Sequence, residues 1–177
     1  DTAGLIDALH LGPCRVVGYS LGGFIAEELS YTRPELVHEV VLMASVGPAS
    51  AFVRAWNAAE VEVATATDLS LRDRAARDLL FMLLPVATLQ NDDATVNAFR
   101  AMFSAGEPWS NPGRLGQWTA DLGWGDDETR TERWSRLRQR CSVLAFEQDI
   151  LWPPRAARGA GAAMLNATYA DIDGQAP

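Results

Sequence analysis

The sequence predicts an α/β protein: a parallel sheet interrupted by a helical insertion. Three observations lead there. A strand, a glycine-flanked turn, a helix and a second strand follow one another within about 30 residues near the start, which is the length and order of a right-handed parallel βαβ unit. A long middle stretch, from about Ala49 to Arg140, shows helical patterning and no convincing strand. Strand texture then returns at Cys141–Phe146 and Thr168–Ile172.

Each element has its own justification. In Asp1–Leu11, Leu5, Ile6 and Leu9 recur at helical spacing, and Gly12-Pro13 stops the run. Cys14–Gly18 reads as a short buried strand. Phe24–Thr32 reads as an amphipathic helix with Phe24, Ile25 and Leu29 opposed to Glu27 and Glu28. It ends at Arg33-Pro34, because the residue before a proline is pushed out of the helical region. Val40–Met43 is a continuous apolar run, as expected of a strand covered on both faces. Helices are expected over Ala51–Ala64, Leu69–Leu84, Asp92–Ser104, Arg114–Leu122 and Glu128–Arg140, with Asp92 and Asp93 suited to an N-cap and first turn. Gly106-Glu107-Pro108 and Asn111-Pro112-Gly113 read as loops. Trp56, Trp109, Trp118 and Trp134 fall in this stretch, where they either pack a core or line an apolar pocket. Pro153-Pro154 opens a helix through about Met164, since proline is well placed in a first turn.

The organisation expected is therefore 1–48 as one part of an α/β core, 49–140 as a helical cap and 141–177 as a second part of the core. No apolar run approaches the ~18 residues of a membrane span, and no secretory leader pattern opens the chain, so a cytoplasmic setting is expected. The net charge of −8 speaks against a nucleic-acid partner, whose binding rests on phosphate neutralisation. Cys14 and Cys141 lack partners at metal-ligand spacing and are expected as reduced thiols. No metal or cofactor is expected, and the oligomeric state is left open.

The motif that carries chemistry is Gly18-x-Ser20-x-Gly22. A nucleophilic serine on a sharp strand-to-helix turn stands clear of the sheet on strained backbone dihedrals, so Ser20 should have positive φ. Side chains at the flanking glycines are expected to collide with the neighbouring strand or helix. The helix that follows points free N–H groups at a reacting carbonyl, which makes the Leu21 N–H an oxyanion donor.

Val16-Val17-Gly18-Tyr19-Ser20-Leu21-Gly22-Gly23, then Arg33-Pro34-Glu35-Leu36-Val37, then Val40-Val41-Leu42-Met43-Ala44-Ser45 resemble the α/β-hydrolase superfamily from its fifth strand onward. Ala145-Phe146-Glu147-Gln148-Asp149-Ile150-Leu151-Trp152-Pro153-Pro154 resembles the family's acid loop, and the residues up to Gly174 resemble the approach to its histidine loop. The likeness covers essentially the whole chain, strongly at both ends and weakly in the middle, and lies nearest to actinobacterial-type esterases, thioesterases and cofactor-free haloperoxidases.

The resemblance implies a partial α/β-hydrolase fold and a Ser–Asp–His triad. Ser20 maps to the nucleophile and Asp149 to the acid, with a solvated turn carboxylate as Asp149's alternative and Asp171 and Asp173 as weaker acid candidates. Leu151 or Trp152 would line an acyl pocket, or else pack the following helix. His10 and His38, the two histidines, map away from the elbow. The family's histidine would follow Gly174-Gln175-Ala176, so the chain is expected to be a piece of a longer hydrolase and nearly inactive alone. In the family's strand order another strand separates Cys14 from Cys141, which keeps them unbonded.

The function implied is hydrolysis of a small apolar carboxylic ester or thioester through an acyl-enzyme. Perhydrolysis by a cofactor-free haloperoxidase, a lyase of the same fold, and an inactive ligand-binding member are the alternatives. Serine at the elbow argues against the carboxylate-nucleophile dehalogenases and epoxide hydrolases of the family.

Overall fold

A computed structural model describes residues 1–65, 78–105, 111–125 and 129–177. The expected loop at Gly106-Glu107-Pro108, Trp109 and the first parts of the helices expected at Leu69–Leu84 and Glu128–Arg140 lie outside the described residues. The chain divides into two compact units.

The first unit comprises Asp1–Pro48, Asp127–Glu147 and Trp152–Asp173. It holds α1 (Thr2–Ala8), β1 (Cys14–Tyr19), α2 (Leu21–Thr32), a 3-10 turn at Pro34–Leu36, β2 (Val37–Met43), and, after the second unit, α7 (Arg130–Trp134), β3 (Arg140–Phe146), α8 (Pro154–Ala163) and β4 (Ala167–Ile172). The four strands form one parallel sheet in the order β1-β2-β3-β4. Tyr19 pairs with Met43, Met43 with Leu144, and Val143 with Tyr169. β2 therefore separates Cys14 from Cys141, and both thiols are free.

The α2 and α8 crossovers advance in the same direction along the sheet. Right-handed connections then place both helices on one face. That face carries the core: Ala26 and Leu29 of α2, Val40 and Leu42 of β2, Trp134 and Leu137, Val143 and Ala145 of β3, and Ala157 and Ala160 of α8. Each fully buried leucine or valine here contributes about 1.5–3 kcal/mol. The opposite residues of the strands are only partly covered within this unit. Val17 is 67% exposed and Tyr19 45%, and Val41 and Leu144 are half-buried. Two expectations are corrected by this: β1 is not a buried strand, and the two faces of β2 are unequally covered. β2 is buried at Val37, Val40 and Leu42 and less covered between them.

Trp134 and Leu137, within the stretch expected as the cap, pack into the sheet's core. The helix expected to reach Arg140 ends at Trp134. A turn at Ser135 and Arg136 follows, with Arg136 N–H bonded to Arg133 O at 2.9 Å.

The second unit comprises Ala49–Asp126, Gln148–Leu151 and Gly174–Pro177. Its described elements are helical: α3 (Ala51–Thr65), a stretch at 78–83, α4 (Val86–Asn91), α5 (Asp93–Ala105) and α6 (Asn111–Gly125), with α3 packed on α6. The Asp92 carboxylate caps α5, accepting the Thr95 N–H at 3.0 Å and its hydroxyl at 2.7 Å. These bonds hold its pKa below the usual carboxylate value. The Asn111-Pro112-Gly113 loop becomes instead the first turn of α6; a helix start leaves its first N–H groups unbonded, so Pro112 costs nothing there. Trp124 joins Trp118 on the same helix.

Candidate active site

Ser20 follows β1 directly and precedes the first residue of α2. Its N–H bonds Met43 O at 2.9 Å, continuing the β1–β2 ladder one residue past the strand. Its φ of 51° and ψ of −125° lie in a region that non-glycine residues avoid. Its carbonyl accepts the Gly23 N–H at 2.8 Å, closing the turn, and the residue is exposed. This is the strained, outward-standing serine the motif predicts. Leu21 begins α2, so its N–H has no acceptor within the helix.

The glycine requirement falls on different positions than the motif suggests. A Cβ on Gly18 would lie 2.4 Å from Gly22 O and 2.6 Å from Gly23 Cα, as expected. A Cβ on Gly22 would meet nothing within 4 Å, which corrects the expectation of a collision there. The second steric requirement is at Gly23, where a Cβ would lie 1.9 Å from Ser45 Oγ. Sequence spacing could not identify it, because Ser45 reaches that point only through β1–β2 pairing.

The β2 exit is strained as well. Ala44 has φ 50° and Ser45, Val46 and Gly47 are buried. Behind this segment sits a buried ion pair that no local sequence pattern announces. Arg130 Nε donates to Glu27 Oε1 at 3.1 Å and its Nη2 to Oε2 at 3.0 Å. Nη1 donates to Gly47 O at 2.9 Å and Nη2 to Ser45 O at 3.0 Å. Trp134 Nε1 donates to Glu27 Oε1 at 2.9 Å. The guanidinium carbon lies 4.7 Å from the Phe24 ring centre, 5.2 Å from Trp134 and 5.7 Å from Trp152.

Trp152 itself is buried and meets Phe24 edge-on at 5.3 Å. Its place is in the packing of the first unit, and Leu151 is half-buried in the second. Asp149 is 3% exposed and accepts the Leu151 N–H at 2.8 Å. Its alternative as a solvated turn carboxylate is thereby removed. Beside it in the same unit, Gln148 N–H bonds Gln175 O at 2.9 Å and Gln148 Oε1 accepts the Val86 N–H at 3.2 Å. The segment carrying Asp149 is therefore hydrogen-bonded to the segment that follows Gly174. Asp171 is committed elsewhere: it pairs with Arg158 at 2.6 Å and accepts the Tyr169 hydroxyl. Asp173 is exposed.

Both histidines are exposed. His38 is the second residue of β2, five residues from its C-terminal end, about 17 Å along the strand. His10 precedes β1. Parallel strands put both at the edge opposite Ser20. Among the described residues, no helix is long and apolar enough to cross a membrane.

No family profile matches the chain. It is 35% identical over 172 residues to a Mycobacterium tuberculosis protein carrying the provisional name non-heme bromoperoxidase BpoC, an alignment spanning 97% of this chain and 64% of that protein. The crystal structure of that protein superposes with a TM-score of 0.86 at 34% identity, over 99% of this chain and 64% of the other. A thermophilic esterase from Thermogutta terrifontis superposes with a TM-score of 0.77 over 99% of this chain and 62% of its own; at 20% identity that likeness concerns the fold alone. The chain thus spans just under two thirds of the length of these relatives.

Proposed function

This chain belongs to the α/β-hydrolase superfamily, and from that premise we propose that Ser20 is the nucleophile of a carboxylic ester or thioester hydrolase acting through an acyl-enzyme. The observation that carries the reading is the backbone of Ser20: an exposed serine held at φ 51° between a parallel strand and a helix N-terminus. Strain of this kind persists only where the surroundings enforce it, and it clusters at sites of chemistry.

In this reading Ser20 Oγ attacks the acyl carbon, and the carbonyl oxygen becomes an oxyanion facing the Leu21 N–H. An imidazole takes the hydroxyl proton and returns it to the leaving group. Asp149 orients that imidazole, and water then releases the acid. A hydroxyl is a weak nucleophile at its free pKa, and His10 and His38 stand at the other edge of the sheet. The chain alone should therefore turn over an activated ester slowly. The test is chemical rescue. Imidazole added to the 177-residue chain should accelerate hydrolysis of p-nitrophenyl acetate beyond the rate that the same imidazole gives without protein. Ser20→Ala should remove that increment entirely, and Asp149→Asn should reduce it. An increment that persists in Ser20→Ala would overturn the assignment.

The name of the mycobacterial relative supports a second reading on the same nucleophile. Hydrogen peroxide in place of water at the acyl-enzyme would release a peracid, which oxidises bromide. Bromination of a phenol dye that requires Ser20, peroxide and a short carboxylic acid together would favour perhydrolysis.

A further inference from the structure

The buried pair of Arg130 and Glu27 is hard to explain by stability. The side chains are 3% and 2% exposed, and the desolvation cost of such a pair commonly matches or exceeds its Coulombic gain, so that apolar residues of similar volume do as well. The pair does join parts that packing alone would leave independent. Four guanidinium N–H bonds run to two places: the Glu27 carboxylate on α2, and the Ser45 and Gly47 carbonyls just past β2. That segment opens with the strained Ala44. Its Ser45 side chain occupies the space beside Gly23, where an added Cβ would touch it at 1.9 Å. Gly23 in turn closes the turn through Ser20 O at 2.8 Å. An unbroken run of contacts thus leads from the guanidinium through Ser45 and Gly23 to Ser20, and a second leads back along α2 from Glu27.

We propose that Arg130 is a positioning residue for the Ser20 elbow: it fixes the β2 exit against the first turn of α2 and so holds the serine and the Leu21 N–H in their strained geometry. The proposal rests on reading Ser20 as the nucleophile. Only a planar fork of donors serves both Glu27 oxygens and both carbonyls. A lysine ammonium at the same place is a point charge and cannot span them.

The test uses the 177-residue chain with Glu27→Met/Arg130→Met, which leaves no stranded charge, and with Arg130→Lys. Two quantities are read. One is hydrogen exchange at the Ser20 and Gly23 amides, compared with the Val143 amide in the sheet. The other is labelling of Ser20 by an alkyl fluorophosphonate with imidazole supplied as the base, resolved into the maximal rate and the half-saturating concentration. In the double variant the two elbow amides should exchange at least tenfold faster while Val143 changes no more than twofold. The maximal labelling rate should fall at least tenfold with the half-saturating concentration within twofold, and Arg130→Lys should restore neither. Equal acceleration at Val143 and the elbow, or an unchanged labelling rate, would overturn the proposal. If the double variant does not fold, Arg130→Lys decides by the same readouts. If the unsubstituted chain resists labelling even with imidazole supplied, the nucleophile reading fails, and the exchange comparison decides the positioning claim by itself.

Discussion

Ser20 and Ala44 occupy matched places at the ends of two paired strands. Tyr19 and Met43 are register partners, each is followed by one of these residues, and the two φ angles are 51° and 50°. The Ser20 N–H bonds the carbonyl of Met43, the residue before Ala44, at 2.9 Å. Holding a non-glycine residue in a sparsely populated backbone region costs about 1–3 kcal/mol. Two such residues at one corner of the sheet mark the place where packing enforces a shape the backbone would not choose. The consequences can be measured at each contact.

Gly23→Ala should destabilise the fold by about 3 kcal/mol, near the upper end of overpacking costs. The added methyl would lie 1.9 Å from Ser45 Oγ and 2.5 Å from Ser45 Cβ. Ser45→Ala should rescue little, because the Cβ contact remains, whereas Ser45→Gly should recover most of the loss. Urea midpoints of the single and double variants check this. Gly22→Ala, which meets nothing within 4 Å, is the control and should cost less than about 1 kcal/mol.

Ala44→Gly should change stability by no more than about 1 kcal/mol. Relief of the positive φ is offset by the greater freedom of glycine in the unfolded chain and by the loss of a buried methyl. Ala44→Val should cost at least about 2 kcal/mol, since a β-branched residue is least tolerant of that region. Thermal unfolding of both variants separates the two cases.

Glu27→Ala should cost about 3–5 kcal/mol, because it strands a buried guanidinium and removes the acceptor of Trp134 Nε1. Glu27→Met/Arg130→Met should recover most of that. A double variant as unstable as Glu27→Ala would show that the pair is indispensable to folding.

Cys141 should resist alkylation in the folded protein while Cys14, which is only half-buried, reacts first. Burial, and secondarily the nearby Glu27 charge, push the Cys141 thiol up to about 12 from 9.0. The folded state therefore keeps a proton that the unfolded chain releases near pH 9. Its contribution to stability is complete below that pH and is lost as pH rises toward 12. Cys141→Ala should show a shallower fall in urea midpoint between pH 9 and 11 than the unsubstituted chain. Mass spectrometry after brief iodoacetamide exposure checks the order of reaction.

The strands and the nucleophile candidate were legible in the sequence alone. Periodicity and flanking glycines and prolines placed all four strands to within a few residues. The strand–Gly-x-Ser-x-Gly–helix order was enough to expect the positive φ at Ser20, because both are local: they depend on neighbours along the chain. Tertiary structure decided what depends on neighbours in space. Gly23 rather than Gly22 is the crowded glycine, because strand pairing brings Ser45 against it. Trp134 packs into the sheet's core and Asp149 is buried, and no pattern along the chain signals either. Glu27 reads in sequence as the polar face of an amphipathic helix. It is buried because Arg130, 103 residues later, supplies the one kind of partner that makes a buried carboxylate tolerable, and no local pattern encodes a charge pair across that separation.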